Sequence, residues 1–499
     1  MTAAPLDRLQ DRLAEVTDLR RALLLLFWDQ RVIMPPGGAE ARAEAVATVG
    51  RLAQERFVTK EIEQLLEELR GVEESSDYDS FEASLVRVTR RDFERASRVP
   101  PELVGEMERT SALALAAWGP AKEESNFEAL RPHLEKNLEL KHRYVECFDR
   151  SDETYDILLD EYEPDMKTAE VRAIFDQLKE QLLPLITEVG EAGEVDDSFL
   201  EGEFDPVAQR ELSLEIVRRF GYTEDEWRLD QTAHPFMSSS GVGDIRLTTN
   251  FRPGDVTSLF ATMHEFGHGV YEWGVDRALA RTPLGTGVSY GVHESQSRTW
   301  ENLVGRSRSF WRFFYPRVQE TFSQQLGSVD EEAFYRAVNK VHPSLIRIDA
   351  DEVTYNMHII LRFELEQDLV EDRLAVAELP GAWNARMHEY LGIDVPDDAR
   401  GVLQDMHWAA GGIGYFPTYS LGNVISVQIW ERAKEDLGEL DDQFERGEFG
   451  PLREWLQEHL YRLGRKFTPQ ETIERVTGSR IDAKPYMRYL REKLAPQAV

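Results

Sequence analysis

The chain has 499 residues, 41% of them apolar and 10% aromatic, which is enough for a large buried core and excludes a disordered chain. Its 58 Lys and Arg stand against 92 Asp and Glu, a net charge of −34 that repels phosphate backbones and anionic membrane surfaces. Nucleic acid and membrane are therefore set aside as partners, and the single cysteine, Cys147, excludes an internal disulfide and fits a reducing, cytoplasmic setting in which it packs.

The N-terminus, Met1-Thr2-Ala3-Ala4-Pro5-Leu6-Asp7, has no basic leader region, and the apolar run Ala22 to Trp28 is too short for a membrane span or a signal core. The expectation is a protein without either. The first helix is predicted from Pro5 to Leu26, on Leu9, Leu13, Val16, Leu19 and Leu23. Met34-Pro35-Pro36-Gly37-Gly38 breaks it. Helical patterns resume from Ala39 to about Leu69, and an acidic loop is expected from Gly71 to Asp79. Further helices are predicted over about Phe81–Val99, Pro101–Trp118 and Phe127–Phe148, and another begins near Ala169 behind a cap at Asp165 to Thr168. The Gly- and acid-rich stretch Val189 to Asp205 reads as a loop. Asp244 to Asn250, with its β-branched residues and alternation, reads as a strand. Helices dominate again from Ser258, interrupted by a Gly-rich loop over Gly411 to Gly414. No linker cuts the chain. A single helical body is expected over residues 1–499, with residues about 1–100 as an N-terminal helical lobe.

Thr262-Met263-His264-Glu265-Phe266-Gly267-His268 contains H-E-x-x-H. On a helix, residues four apart share a face, so His264 and His268 can reach one metal ion, with Glu265 placed to take a proton from its water. A third ligand is needed for a zinc site with one open position. Glu294, in His293-Glu294-Ser295-Gln296, lies far enough downstream for a second helix to return beside the first; a solvated acid is the alternative. Arg347, in Ile346-Arg347-Ile348-Asp349-Ala350-Asp351, is either a buried structural ion pair with acids a turn away or a bidentate carboxylate receptor. His407, followed by the Gly-rich loop with Tyr415 and Tyr419, suits oxyanion stabilisation, whereas Trp408 and Phe416 read as core.

Together these residues resemble the M32 family of metallocarboxypeptidases, the carboxypeptidase Taq type. The resemblance runs nearly end to end. It takes in Phe27-Trp28-Asp29-Gln30 with Met34 to Gly38, His234-Pro235-Phe236, and Asp244, Arg246 and Thr248 of an Asp-x-Arg-x-Thr pattern. The H-E-x-x-H, the His-Glu-Ser-Gln at 293–296, Ile346 to Asp351, and Gly401 to Trp408 follow in family order. It implies a mostly α-helical, zincin-like fold with a deep active-site groove and a small β-sheet beside the H-E-x-x-H helix, a homodimer, and peptide substrates. It implies zinc, with cobalt as a possible substitute, and release of single C-terminal residues with broad specificity. His264, His268 and Glu294 would be ligands, and Glu265 the base that activates metal-bound water. Arg347 would receive the terminal carboxylate. His407 with Tyr415 or Tyr419 would support the oxyanion, and His234, Asp244 and Arg246 would meet the substrate. The strand from Asp244 is expected to pair with substrate as an edge strand can. An oligopeptidase or dipeptidyl carboxypeptidase is the rival within enzymes, and a peptide-binding scaffold the rival outside them.

One expectation concerns the surface. The 47 Arg against 11 Lys, with so many acids, fit a protein living in concentrated salt, whereas a GC-rich genome making an ordinary acidic protein is the alternative.

Overall fold

Apolar residues at three- and four-residue spacing make most of the chain helical, and many helices begin where a side chain takes a free amide. Ser80 accepts from Ala83 N, Asn126 from Ala129 N and Ser289 from Val292 N. The computed structural model describes residues 4–149, 151–191, 193 and 195–494. Met1 to Ala3 of the N-terminal reading lie outside them, as do Ala192 and Glu194 of the expected loop Val189 to Asp205, whose first residues end the helix Thr168–Glu191.

Helix α1 (Pro5–Val32) starts with proline in its first turn and runs past Leu26. The predicted helical stretch after it divides into Ala39–Phe57 and Lys60–Glu68, because Thr59 caps the second piece through Ile62 N. The acidic stretch from Gly71 is not wholly a loop. Residues Arg70–Ser75 are helical, pinned where Arg90 of the helix Phe81–Arg98 bonds both Glu73 at 2.8 Å and the Leu66 carbonyl at 2.7 Å. The N-terminal helices share a small apolar cluster, including Leu9, Leu13, Phe57, Leu66, Leu85 and Phe93, with Val275, Leu279 and Leu284. A second, much larger cluster fills the rest of the molecule.

Three short strands follow: β1 (Trp227–Gln231), β2 (Phe236–Gly241) and β3 (Asp244–Thr249), in the order β1-β3-β2. β3 runs parallel to β1, with Leu247 opposite Leu229, and antiparallel to β2, with Leu247 opposite Met237. The expected strand therefore exists but is central, not an edge. Both rows of its backbone groups are taken, so it cannot pair with a peptide.

Four helices build the region beyond the sheet: α2 (Thr257–Gly274), α3 (Tyr290–Arg298), α4 (Tyr355–Val370) and α5 (Pro417–Leu437). α3 continues into a π-helical turn, Thr299–Val304. Two glycines let these helices cross closely. A Cβ on Gly267 of α2 would strike the Gln296 carbonyl and Ser297 of α3, and one on Gly422 of α5 would sit 2.6 Å from Glu294 Cγ. Gly269 of α2 lies against Trp227, Ile245 and Leu247, which seats the sheet on the same helix. Among the described residues, no helix is long and apolar enough to cross a membrane.

Candidate active site

The crossing of α2 and α3 brings three side chains to one point. Glu294 Oε2 lies 3.7 Å from His264 Nε2 and 3.4 Å from His268 Nε2. The three donor atoms all fall within 4.8 Å of one another, the one such cluster among the described residues. The opposite side of each of these three side chains is held. His264 Nδ1 is hydrogen-bonded to Glu301 Oε2 at 2.8 Å, His268 Nδ1 to His293 Nδ1 at 2.7 Å, and Arg298 Nε donates to Glu294 Oε1 at 2.8 Å. His293 is in turn fixed by Glu272 at 3.1 Å. The Nε2 atoms of both histidines converge on Glu294 Oε2, which also accepts from Ser297 Oγ at 3.1 Å. Burial pulls His268 down to about 4, so its ring is neutral, and Arg298 with His264 keeps Glu294 ionised against its burial. Two imidazole nitrogens and one carboxylate oxygen, with outer partners that orient them, fit a zinc-type ion with an open position.

Glu265 follows His264 on α2. It is 6% exposed, and burial pushes its pKa up to about 7. A carboxyl with that value is matched to giving and taking protons near neutrality.

Arg347 begins a 3-10 turn, Arg347–Asp349, and is buried. Its partner is not an acid a turn away. Asp351 instead caps Val353 and Thr354, and Asp349 is exposed. Asp405 takes the Arg347 guanidinium, at 3.1 Å from Nε and 2.8 Å from Nη2, and Tyr355 accepts from Nη1 at 2.9 Å. Arg362 of α4, fully buried, also grips Asp405, at 2.6 Å. Two guanidinium groups thus share one carboxylate. Burial lowers Arg362 only to about 10, and burial holds His407 down to about 4, so the cluster carries a net positive charge at pH 7. Tyr355 links this cluster to Glu294 and the two histidines, because the Arg298 guanidinium sits 4.7 Å from its ring centre.

His407 Nε2 is 3.3 Å from Tyr419 OH, and the ring stacks on Tyr415 at 5.5 Å. Tyr419 also lies 5.1 Å from the Arg347 guanidinium carbon. These residues gather with Glu294, whose charge acts on both tyrosines.

The remaining predicted residues stand on and beside the sheet. His234 is exposed in the turn between β1 and β2. Asp244 and Arg246 bind one another at 2.8 Å, and Arg246 covers Trp28 of α1 at 4.4 Å. Ile245 and Leu247 face α2, so by alternation Asp244 and Arg246 face the other way. Their pairing and the Trp28 contact give them a structural part in holding the sheet to α1.

Sequence reasoning missed Arg298, Glu301, Glu272 and Arg362. A signal existed for two of them. Glu294, Arg298 and Glu301 stand at i, i+4 and i+7, a charged line in an otherwise buried segment.

The chain matches the family model of the carboxypeptidase Taq (M32) metallopeptidases over residues 8–494. It is 41% identical over 482 residues to thermostable carboxypeptidase 1 of Thermus thermophilus, covering 94% of each chain. It is 36% identical over 486 residues to carboxypeptidase 1 of Bacillus subtilis, covering 97% of this chain and 96% of the relative. Its fold is similar to a crystal structure of an M32 carboxypeptidase from Deinococcus radiodurans, with a TM-score of 0.95, 40% identity, and coverage of 99% of this chain and 100% of that one.

Proposed function

The chain belongs to the M32 family and is a metallocarboxypeptidase, and from that premise we propose a zinc-dependent enzyme that removes single residues from peptide C-termini with broad specificity for the residue released. Cobalt is a possible substitute, since availability and not this donor set decides between them. We read the chain as one helical peptidase body with residues about 1–100 as a lobe, acting in the cytoplasm as a homodimer.

The observation that carries the reading is the pair Arg347 and Arg362 around the single carboxylate of Asp405. An unbalanced buried guanidinium needs an anion, and a peptide's terminal carboxylate supplies one through paired, charge-assisted hydrogen bonds. Arg347 is separated from Glu294 only by Tyr355 and Arg298. A carboxylate held there sets the last peptide bond beside the ligands, which is what distinguishes an exopeptidase from an oligopeptidase.

His264, His268 and Glu294 would hold the ion, which when bound supplies a Lewis acid that polarises a carbonyl and acidifies water. Glu265 accepts the proton of the attacking water and returns it to the departing amine, a shuttle suited to a carboxyl near 7. Neutral His407 and the hydroxyls of Tyr419 or Tyr415 donate to the carbonyl oxygen as it gains charge.

A metal-loaded preparation incubated with a free-acid peptide should give a ladder of single-residue losses by mass spectrometry. Dipeptide release or internal cuts would overturn the exopeptidase reading. Glu265→Gln should bind metal normally and lose about 10²- to 10⁴-fold in kcat. Normal turnover in that variant would remove Glu265 from the reaction. Elemental analysis identifies the ion, and light scattering tests the dimer.

A further inference from the structure

On α3, Tyr290, Glu294 and Arg298 stand four residues apart and share one face, each about 6 Å along the axis from the next. Arg298, one turn past the ligand Glu294, leans on Tyr355, which accepts a hydrogen bond from Arg347. The carboxylate end of the site is therefore on the C-terminal side of Glu294. Tyr290 is one turn to the other side. A peptide with its carboxylate on Arg347 and its last bond at the ligands brings its penultimate residue toward Tyr290; this step rests on the exopeptidase reading above.

Tyr290 is one of three tyrosines packed edge to face. Its ring centre is 5.5 Å from that of Tyr162 and 5.3 Å from that of Tyr415, and those two are 5.2 Å apart. Tyr415 stacks on His407, so the trio adjoins the group placed at the developing oxyanion. The Tyr290 amide donates to the Tyr162 carbonyl at 3.2 Å, which ties the two segments together. Tightly packed rings of this kind are usually core, yet Tyr290 is 51% exposed. One side of the ring packs on Tyr162 and Tyr415, and the other is left open for contact.

We propose that Tyr290, Tyr162 and Tyr415 form the subsite for the side chain of the penultimate substrate residue, and that it selects aromatic and large apolar side chains there. The open edge of a T-shaped cluster offers an incoming ring the same offset geometry the three already share, and apolar area buried there is gained only by a large side chain.

The test uses the metal-loaded enzyme and N-blocked tripeptides ending in Xaa-Ala with a free carboxylate, where Xaa is Phe, Leu, Ala or Lys. The wild type should prefer Phe to Ala at Xaa by about tenfold or more in kcat/KM. Tyr290→Ala should reduce that ratio to about twofold, and Tyr290→Phe should retain it, because the ring and not the hydroxyl makes the contact. Tyr290→Leu, which restores apolar volume without a ring, should keep the Leu preference and lose most of the Phe preference. A flat wild-type series, or a preference for Lys, overturns the proposal. So does a Tyr290→Ala variant whose Phe-to-Ala ratio is unchanged. Failure of the exopeptidase reading would appear separately, as equal cleavage of the same peptides with an amidated C-terminus, whatever happens to the ratio.

Discussion

Glu301 shows how a single carboxylate can set the chemistry of another residue. Its bond to His264 Nδ1 fixes the ring's orientation and leaves Nε2 pointing at Glu294 and His268. Arg298 and Arg306 hold it, and its carboxyl is pulled down to about 2, His264 and Arg298 outweighing its burial. Glu301→Gln should weaken metal binding about 10- to 100-fold, measured by competition with a chelator, and saturating metal should recover most of kcat. Unchanged affinity would make Glu301 a bystander. Arg347 allows a sharper experiment. C-terminal amidation of a peptide and Arg347→Ala should each cut kcat/KM by about 10²-fold, roughly 3 kcal/mol, and the two together should cost little more than either alone. Simple addition of the losses would leave Arg347 as a structural partner of Asp405. The variant keeps the Asp405–Arg362 pair, so the fold has a way to survive it. At this scale the sequence was informative where chemistry is local. H-E-x-x-H declares itself because one helical turn aligns both histidines. The Arg347–Asp405 pair did not, because 58 residues separate its members and only the tertiary fold joins them.

Among the elements, β3 and α3 mark what local pattern can and cannot say. The alternation in Asp244 to Thr249 was enough to identify a strand, but its place between β1 and β2 depends on partners with weak signals of their own, Trp-Arg-Leu-Asp-Gln and a serine-rich run. The helical start of the acidic stretch at Arg70–Ser75 was hidden for the same reason, since Arg90 supplies its anchor from another helix. For α3, the Ser289 cap was readable, but a second device at its N-terminus was not. Glu163 accepts from the Gly291 amide, is fully buried, and has no partner for its Oε2. Burial pushes its pKa up to about 8, and burial likewise pushes Glu366, bonded by Trp408 and Gly414, up to about 7. Both hold their proton more tightly folded than unfolded. The stability they add is complete below the ordinary value of about 4.5 and is lost as pH rises through about 7 and about 8. Glu163→Gln cannot lose a proton, so its thermal midpoint relative to wild type should climb steadily between pH 5.5 and 8.5, by an amount reflecting up to a few kcal/mol. A constant difference across that range would mean that Glu163 is ionised in the folded protein.

For the whole molecule, the helical class was legible because periodicity is repeated in so many segments, and the assembly of those segments was not, because close crossings such as Gly267 on α3 and Gly422 on Glu294 are set between distant parts of the chain. Charge is the property that belongs to this scale alone. Arginines tie acids down across the surface, as Arg281 does Asp18, Arg475 does Asp79 and Arg488 does Glu431, each pair separated by less than 3 Å. These attractions are short. The repulsion among the acids left over, 34 more negative than positive charges, acts over much longer distances. Salt treats the two differently. The Debye length is about 10 Å at 0.1 M and about 3 Å at 1 M, so added salt removes the long-range repulsion while contacts under 3 Å keep part of their strength. Exposed pairs are also worth little to begin with, about 0 to 1 kcal/mol each, so weakening them costs little. Screening should therefore favour the compact state. The thermal midpoint should rise as NaCl goes from 0.1 M to 2 M, with most of the gain below 1 M, where the Debye length changes most. KCl should match NaCl if screening is the cause. A flat or falling midpoint would mean that the acids are spaced widely enough not to oppose one another, and would leave an ordinary acidic protein in place of one adapted to concentrated salt.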